Sequence, residues 1–519
     1  MKIHVKSKYI IFPVNPKLPD KHISFLQNGK EVYYLDVKLD NISPCFEAYA
    51  DVTRFIGTEL DLNISPEMDI IWRESNTIDI PDLYHEPMRP QVHFSTKNGW
   101  NNDPNGMIFL DGVYHMFYQH NPCDPTWGNM HWGHAVSRDL LHWEEKEIAL
   151  FPDQFGTMFS GSAVLDSKNV TGFSKNDTPP VLLYYTAAGT PYTQCLAYSC
   201  DGLKTIQKYD GNPIIPYIIG RNRDPKVVWC EELNSYLLAL YLSDDRYLLF
   251  TSNNMINWQI LQEIILEGDN ECPDLYCMKN DNGERRWVFI GAHDRYLVGE
   301  FKEGKFVPTQ PVQTLHFGSS GYAAQSFSNL PEGRNIRVSW MRWNHISEKN
   351  FSQQMGIPVD LSLKTYNGIE YLCATPVPEI QTLFQNTKEY SNIVLDGVNT
   401  VFFPVSTDAQ LIRLEADLSS KAQLTLGWFG RKMVLDMAKN KLSLQESAGP
   451  LSITKNKLDV TILIDRCSVE IFADGGRIYF ADSNPSTVCD FNIPQITLYA
   501  DRPCVVNALE IHALNPIWE

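Results

Sequence analysis

Asn102-Asp103-Pro104-Asn105-Gly106-Met107-Ile108 runs from turn-forming residues into an apolar strand, and Tyr114-His115-Met116-Phe117-Tyr118 returns as its hairpin partner. The same order of residue types comes back four times. Ser160-Gly161-Ser162-Ala163-Val164-Leu165 precedes Val181-Leu182-Leu183-Tyr184-Tyr185, and Arg223-Asp224-Pro225-Lys226-Val227-Val228-Trp229 precedes Tyr236-Leu237-Leu238-Ala239-Leu240. Glu271-Cys272-Pro273-Asp274-Leu275 precedes Trp287-Val288-Phe289-Ile290, and Gly321-Tyr322-Ala323-Ala324-Gln325-Ser326-Phe327 precedes Ile336-Arg337-Val338-Ser339-Trp340. From Asp103 to Gly161, Asp224, Pro273 and Tyr322 the steps are 58, 63, 49 and 49 residues. A second echo runs inside the first: Ser137-Arg138-Asp139-Leu140-Leu141-His142-Trp143 resembles Ser252-Asn253-Asn254-Met255-Ile256-Asn257-Trp258, with Ser199-Cys200-Asp201-Gly202-Leu203 as a weaker copy. Five units of about fifty residues, each with several strands, predict a five-bladed β-propeller.

We place the propeller at residues 89–370. Residues 1–88 alternate in places, as in Phe46-Glu47-Ala48-Tyr49-Ala50-Asp51-Val52, and predict a small N-terminal β module. Pro376, Pro378 and the polar stretch Gln385-Asn386-Thr387-Lys388 mark the join to residues 378–519, where strands such as Leu458–Asp465 and Ser468–Phe472 predict a C-terminal β-sandwich. The fold class is therefore all-β.

Of 519 residues, 43% are apolar and 20% charged, so the chain can bury large cores. Its 62 acidic against 44 basic side chains give a formal charge of −18, which argues against nucleic acid or an anionic membrane face as partner and leaves a neutral ligand. No stretch approaches the roughly 18 apolar residues of a membrane helix. The eleven cysteines are odd in number and scattered, which suits thiols in a reducing compartment better than a disulfide framework or a zinc site. The apolar run Tyr9–Val14 is short and interrupted by Pro13, so the expected location is cytoplasmic.

Asp103, Asp224 and Glu271 each open the first strand of a repeat. A propeller gathers its innermost strands around one axis, so these carboxylates should meet at one end of the channel. Like charges in a confined place raise one another's pKa, an arrangement unsuited to a structural core. Glycoside cleavage uses such a set: one carboxylate at the anomeric carbon, one carboxylic acid for the leaving oxygen. Read singly, the residues are ordinary. Asp-Pro and Asn-Gly are turn formers, Arg223-Asp224 an ion pair and Glu271 a strand-end charge. Trp127 and Phe159 are of a type usually buried for packing. His131 and His134 lack a third metal ligand at suitable spacing. Cys272 has no general base beside it in the motif, so a thiol nucleophile is not expected.

Taken together, the motifs resemble glycoside hydrolase family 32, the family of invertases, levanases, inulinases and other β-fructosidases. The resemblance rests on His93-Phe94, Gly99-Trp100-Asn101-Asn102-Asp103-Pro104-Asn105-Gly106, Tyr118-Gln119-His120-Asn121-Pro122, Trp127–His134, Phe159-Ser160-Gly161-Ser162, Arg223-Asp224-Pro225 and Glu271-Cys272, in family order. It covers residues 88–519. It implies Asp103 as nucleophile, Glu271 as general acid and then base, and Asp224 as a transition-state stabiliser gripping fructosyl hydroxyls beside Arg223. It further implies a terminal-fructose pocket lined by Asn102, Gln119, Trp127, Phe159, Ser160 and Trp343, with Tyr322 hydrogen-bonded near Glu271. The partner would be a fructose-containing oligo- or polysaccharide, with no metal or organic cofactor.

Two departures bear on specificity. Ser320-Gly321-Tyr322-Ala323 replaces the usual Asp-Phe-Tyr-Ala, and Pro358-Val359-Asp360-Leu361 replaces Pro-Arg-Glu-Leu. The expected activity is release of terminal β-D-fructofuranosyl units from fructans, fructo-oligosaccharides or sucrose. Fructosyl transfer, including difructose-anhydride formation, and endo-cleavage use the same acids. An inverting arabinan-type hydrolase and a non-catalytic fructan-binding protein are the remaining alternatives.

Overall fold

The computed structural model describes all residues except 332, 344–349, 406–408, 418–420, 429–430, 452–456, 484–494 and 519. Strands dominate it, and the described helical turns are the short segments Thr53–Phe55 and Pro378–Leu383.

Five antiparallel sheets carry the repeats, opening with the strands Gly99–Leu110, Thr157–Leu165, Arg223–Cys230, Asp274–Lys279 and Gly321–Ser326. These opening strands touch in succession, and the fifth returns to the first, which closes the ring. Phe351–Ser352, from the chain of the fifth blade, pairs in parallel with Gly99–Leu110 and fastens that closure. The repeat spacing predicted these blades, and the smaller echo has a structural cause as well. In the first three blades Ser137, Ser199 and Ser252 hydroxyls donate to Asp139, Asp201 and Asn254 at the turn from the third strand to the fourth. Leu140, Leu203 and Met255 occupy the same left-handed backbone position there, at φ of 69°, 65° and 60°.

Apolar side chains fill the gaps between blades. Phe117, Trp132, Leu183 and Tyr185 pack the first blade on the second, and Leu237, Leu249, Trp287 and Phe289 pack the third on the fourth. The buried Trp132 indole donates to the Phe159 carbonyl (3.0 Å), so this core contact also fixes a strand that carries site residues. Truncating such a tryptophan to alanine costs roughly 3–5 kcal/mol. The axis is plugged by polar contacts: Lys226 pairs with Asp274 at 2.9 Å and donates to the Ser326 carbonyl at 3.0 Å.

The N-terminal module is a four-stranded sheet facing a three-stranded one over Ile10, Phe12, Ile23, Phe25 and Leu35. It docks on the first blade. Asn129 exchanges two 2.7 Å hydrogen bonds with the Asp36 backbone, and the Tyr33 hydroxyl meets His131 Nε2 at 3.1 Å. Beyond Phe384, two six-stranded sheets form a sandwich over Leu424, Leu426, Ile462, Ile471 and Val506.

Sandwich and propeller meet at His93. Its ring is fully buried and reaches Asp465 Oδ2 from Nδ1 at 2.8 Å and Glu470 Oε2 from Nε2 at 2.7 Å. Burial pulls the imidazole pKa down, but the hydrogen bonds to the two carboxylates outweigh it and raise it to about 9. His93 therefore sits there as an imidazolium.

Candidate active site

Irregular backbone aims the site side chains. In four of the five opening strands the pairing register slips near the strand start: between Asn101 and Pro104, Phe159 and Gly161, Arg223 and Lys226, and Tyr322 and Gln325, with a second slip in the first strand between Asn105 and Ile108. Each slip is a β-bulge, which frees a residue from the ladder and turns its side chain. Asp103, Ser160 and Asp224 lie in these bulges. A Cβ at Gly161 would stand 1.9 Å from the Tyr184 carbonyl oxygen, so the bulge after Ser160 requires glycine. Asp224, Glu271 and Cys272 have φ of 67°, 54° and 36°. That region is unfavourable for these residue types and tends to be held at functional sites. Thr186 braces one of them, its hydroxyl accepting the Asp224 N–H at 2.8 Å.

The three acids converge. Asp103 Oδ2 accepts from the Ser160 hydroxyl (2.5 Å) and the Gln119 amide (3.2 Å), while Oδ1 accepts from Asn102 (3.2 Å). The Cys272 sulfur lies 3.4 Å from both Asp103 Oδ2 and Asp224 Oδ2, and its backbone N–H donates to Asp224 at 3.0 Å. Arg223 spans the other pair, with Nε 3.6 Å from Asp224 and Nη2 bonded to Glu271 Oε1. The Tyr322 hydroxyl donates to Glu271 Oε2 at 2.9 Å. One thiol and one guanidinium thus tie three carboxylates into one cluster.

Asp103 and Asp224 are buried, whereas the Glu271 side chain is 32% exposed and faces the opening. Burial raises the Asp103 pKa, the Ser160 and Asn102 donors oppose it, and the Glu271 charge adds to the rise. Burial also dominates at Asp224. Arg223 pulls its pKa down, Glu271 and Asp103 push it up, and the result is about 7. Burial and the neighbouring carboxylates keep the Cys272 thiol well above its ordinary range. It is a neutral donor here, not a thiolate. The Tyr322 phenol is raised by burial and by Glu271, so it stays protonated and able to donate.

The remaining expected residues divide. Asn102, Gln119, Ser160 and Arg223 contact the acids directly. Trp127, 57% exposed, packs edge-on against Phe159 at 5.9 Å and forms an aromatic rim beside Ser160. Trp343 stands apart from the acids. Its ring is buried against Phe351 at 5.7 Å and its indole donates to Gln354, which commits it to the seam between propeller and sandwich. His131 and His134 turn to different partners, Tyr33 and His115, and form no shared metal site.

Sequence reading missed Thr186, Tyr192, Trp340, His293 and Arg342. Tyr192 extends the aromatic rim from Phe159 at 5.6 Å. Trp340 stands against Trp100 at 5.8 Å and Tyr322 at 6.1 Å on the other side. His293 and the Arg342 guanidinium flank Tyr322 at 4.8 and 4.4 Å. All but Thr186 and Trp340 lie outside the strands, where strand periodicity gives no signal. Ser320, in place of the usual carboxylate, is buried and accepts the Ser483 N–H at 2.9 Å, so that position is stitched to the sandwich. Asp360 pairs with Arg334 at 2.8 Å, away from the acids.

Family models for the glycosyl hydrolases family 32 N-terminal domain and C-terminal region match residues 93–376 and 411–484. A levanase of Bacillus subtilis (strain 168) is 33% identical over 488 residues, covering 84% of this chain and 72% of that protein. A levanase of Bacillus sp. (strain L7) is 29% identical, covering 84% of this chain but only 53% of its own length. The crystal structure of an exo-inulinase from Aspergillus awamori superposes with a TM-score of 0.74 at 26% identity, covering 84% of this chain and all (100%) of that one. The chain belongs to glycoside hydrolase family 32.

Proposed function

We propose that the protein is a retaining β-fructosidase that releases terminal fructose from fructans, fructo-oligosaccharides or sucrose. The observation that carries this is the single cluster of Asp103, Asp224 and Glu271, bridged by Cys272 and Arg223. The levanase and exo-inulinase relatives support the same substrate class and favour hydrolysis over transfer.

Asp103 attacks the anomeric carbon of the fructosyl unit. Its Oδ2 is held by Ser160, Gln119 and Cys272, so attack needs little reorientation. Glu271, the acid open to solvent, gives a proton to the leaving oxygen and later takes one from water, with Tyr322 and Arg223 fixing its two oxygens. Asp224 does not react; it binds fructosyl hydroxyls and stabilises positive charge at the ring as the glycosidic bond breaks. Ten described cysteines are unbridged, which supports a reducing, cytoplasmic setting.

Product chromatography tests the proposal. Incubation with sucrose, inulin and levan should yield fructose as the new small product. A ladder of oligomers would replace exo-release by endo-cleavage, novel dimers would indicate transfer, and no product from any substrate would overturn the reading.

A further inference from the structure

A cavity of about 850 Å³ lies between the N-terminal module and the outer edge of the first two blades. None of the three acids lines it. Its size falls within the usual range of ligand sites.

The wall offers donors, acceptors and ring surfaces together, with the carboxylates of Asp51, Glu145 and Glu147 lining it beside Arg54 and Lys97. Arg54 lies flat on Phe151 at 3.9 Å and donates from Nη2 to the Val32 carbonyl at 3.2 Å. Among the described residues no carboxylate stands within ion-pair distance of Arg54 or of Lys97, which also lines the cavity. Tyr9 packs edge-on against Tyr49 at 6.1 Å. His120 is only 5% exposed, and its Nδ1 lies 2.9 Å from the Trp100 carbonyl. A carbonyl can only accept, so Nδ1 carries the proton and Nε2 is an acceptor. Burial lowers the His120 pKa, which keeps the ring in that neutral form.

This mixture selects a ligand class. A simple anion would use the cations but has no hydrogen to give His120 Nε2. An apolar ligand would make no polar contact with the charged groups of the wall, Lys97 and Asp51 among them. A polyhydroxyl ligand accepts from the cations and donates to the imidazole and the carboxylates, while a C–H face rests on Tyr9. The cavity also adjoins the catalytic strand. Along Val113–Asn121, Gln119 reaches Asp103 while the next residue, His120, lines the cavity, as alternation of side chains in a strand requires.

We propose that this cleft is a second carbohydrate-binding site, which holds a short neutral oligosaccharide away from the catalytic centre. That the sugar is a fructo-oligosaccharide rests on the β-fructosidase reading; the presence of a sugar site does not.

Calorimetric titration of full-length Asp103→Ala with a fructotetraose tests it, with maltotetraose and inorganic phosphate as separate probes. Two fructotetraose sites are expected, one of which disappears in Asp103→Ala carrying Arg54→Glu or Tyr9→Ala, each checked for an unchanged far-UV spectrum. In the otherwise wild-type enzyme, Arg54→Glu should leave kcat/KM for sucrose unchanged and raise KM for levan roughly 10-fold, through loss of two-point attachment. A single site insensitive to both substitutions overturns the proposal, as does Arg54-dependent binding of phosphate without sugar. Maltotetraose in the cleft with no fructotetraose there would keep the sugar site and remove its fructan identity. Failure of the β-fructosidase reading would show differently, as wild-type enzyme that releases no fructose at all.

Discussion

Two buried charge clusters of similar composition hold this molecule, and they are finished differently. At the seam, Asp465 accepts from His93 and from the N–H groups of Gln91 and Val92, while Glu470 accepts from His93, the Ile357 N–H and the Tyr479 hydroxyl. At the active site Arg223 serves Asp224 and Glu271, both on left-handed backbone, while Asp103 has uncharged donors alone. The seam is matched for stability. On the proposed mechanism the excess negative charge of the site awaits a developing oxocarbenium ion, an arrangement expected to lower stability in exchange for rate.

Breaking each cluster should therefore give opposite signatures. Asp103→Ala or Glu271→Ala should lower kcat by roughly 10³-fold or more, with the urea midpoint unchanged or higher; steady-state kinetics and equilibrium unfolding read both. His93→Ala should do the reverse. It leaves Asp465 and Glu470 buried without their cation, which costs roughly 3–5 kcal/mol, while kcat per folded molecule stays near wild type.

Asp224→Asn sharpens the contrast, because activity should collapse while the thermal midpoint rises. The sign follows from its pKa of about 7 against an ordinary 3.8. The folded protein holds this proton more tightly, so ionised Asp224 opposes folding above about pH 7 and ceases to do so as pH falls. The gain from asparagine should thus be largest in alkali. His93 behaves oppositely. With its pKa raised from 6.5 to about 9, its contribution is complete below 6.5 and is lost as pH rises through 9. Thermal melts across this range, on wild type and both variants, separate the two terms.

A smaller effect concerns rate. Activity should fall in acid as Asp103 protonates, at a pH above the ordinary aspartate range because its pKa is raised; a pH–rate profile checks this. The smallest effect belongs to the rim, where Trp127→Ala should raise KM several-fold with little change in kcat, since its exposed ring offers binding surface and touches no acid.

Much of this was legible before any coordinates. Regular strand alternation and the recurrence of motif openings revealed the blades, and ring closure then required Asp103, Asp224 and Glu271 to meet. Bulges were not legible, because a register slip depends on the partner strand; Thr186 and the Cys272 bridge depend on those slips. The packing of Trp343 was not legible either. The family resemblance implied it for the pocket, whereas its ring packs with Phe351 and Cys467. The docking of the N-terminal module combines polar contacts such as Asn129 with Asp36 and ring contacts such as Tyr33 with Phe151, which have no periodicity to betray them.

The most direct test is to trap the reaction halfway. Rapidly quenched enzyme turning over sucrose, digested and examined by mass spectrometry, should carry one fructosyl group on the peptide containing Asp103, and NMR should show the released fructose first as the β-anomer. An unmodified Asp103 peptide together with initial release of the α-anomer would contradict the account.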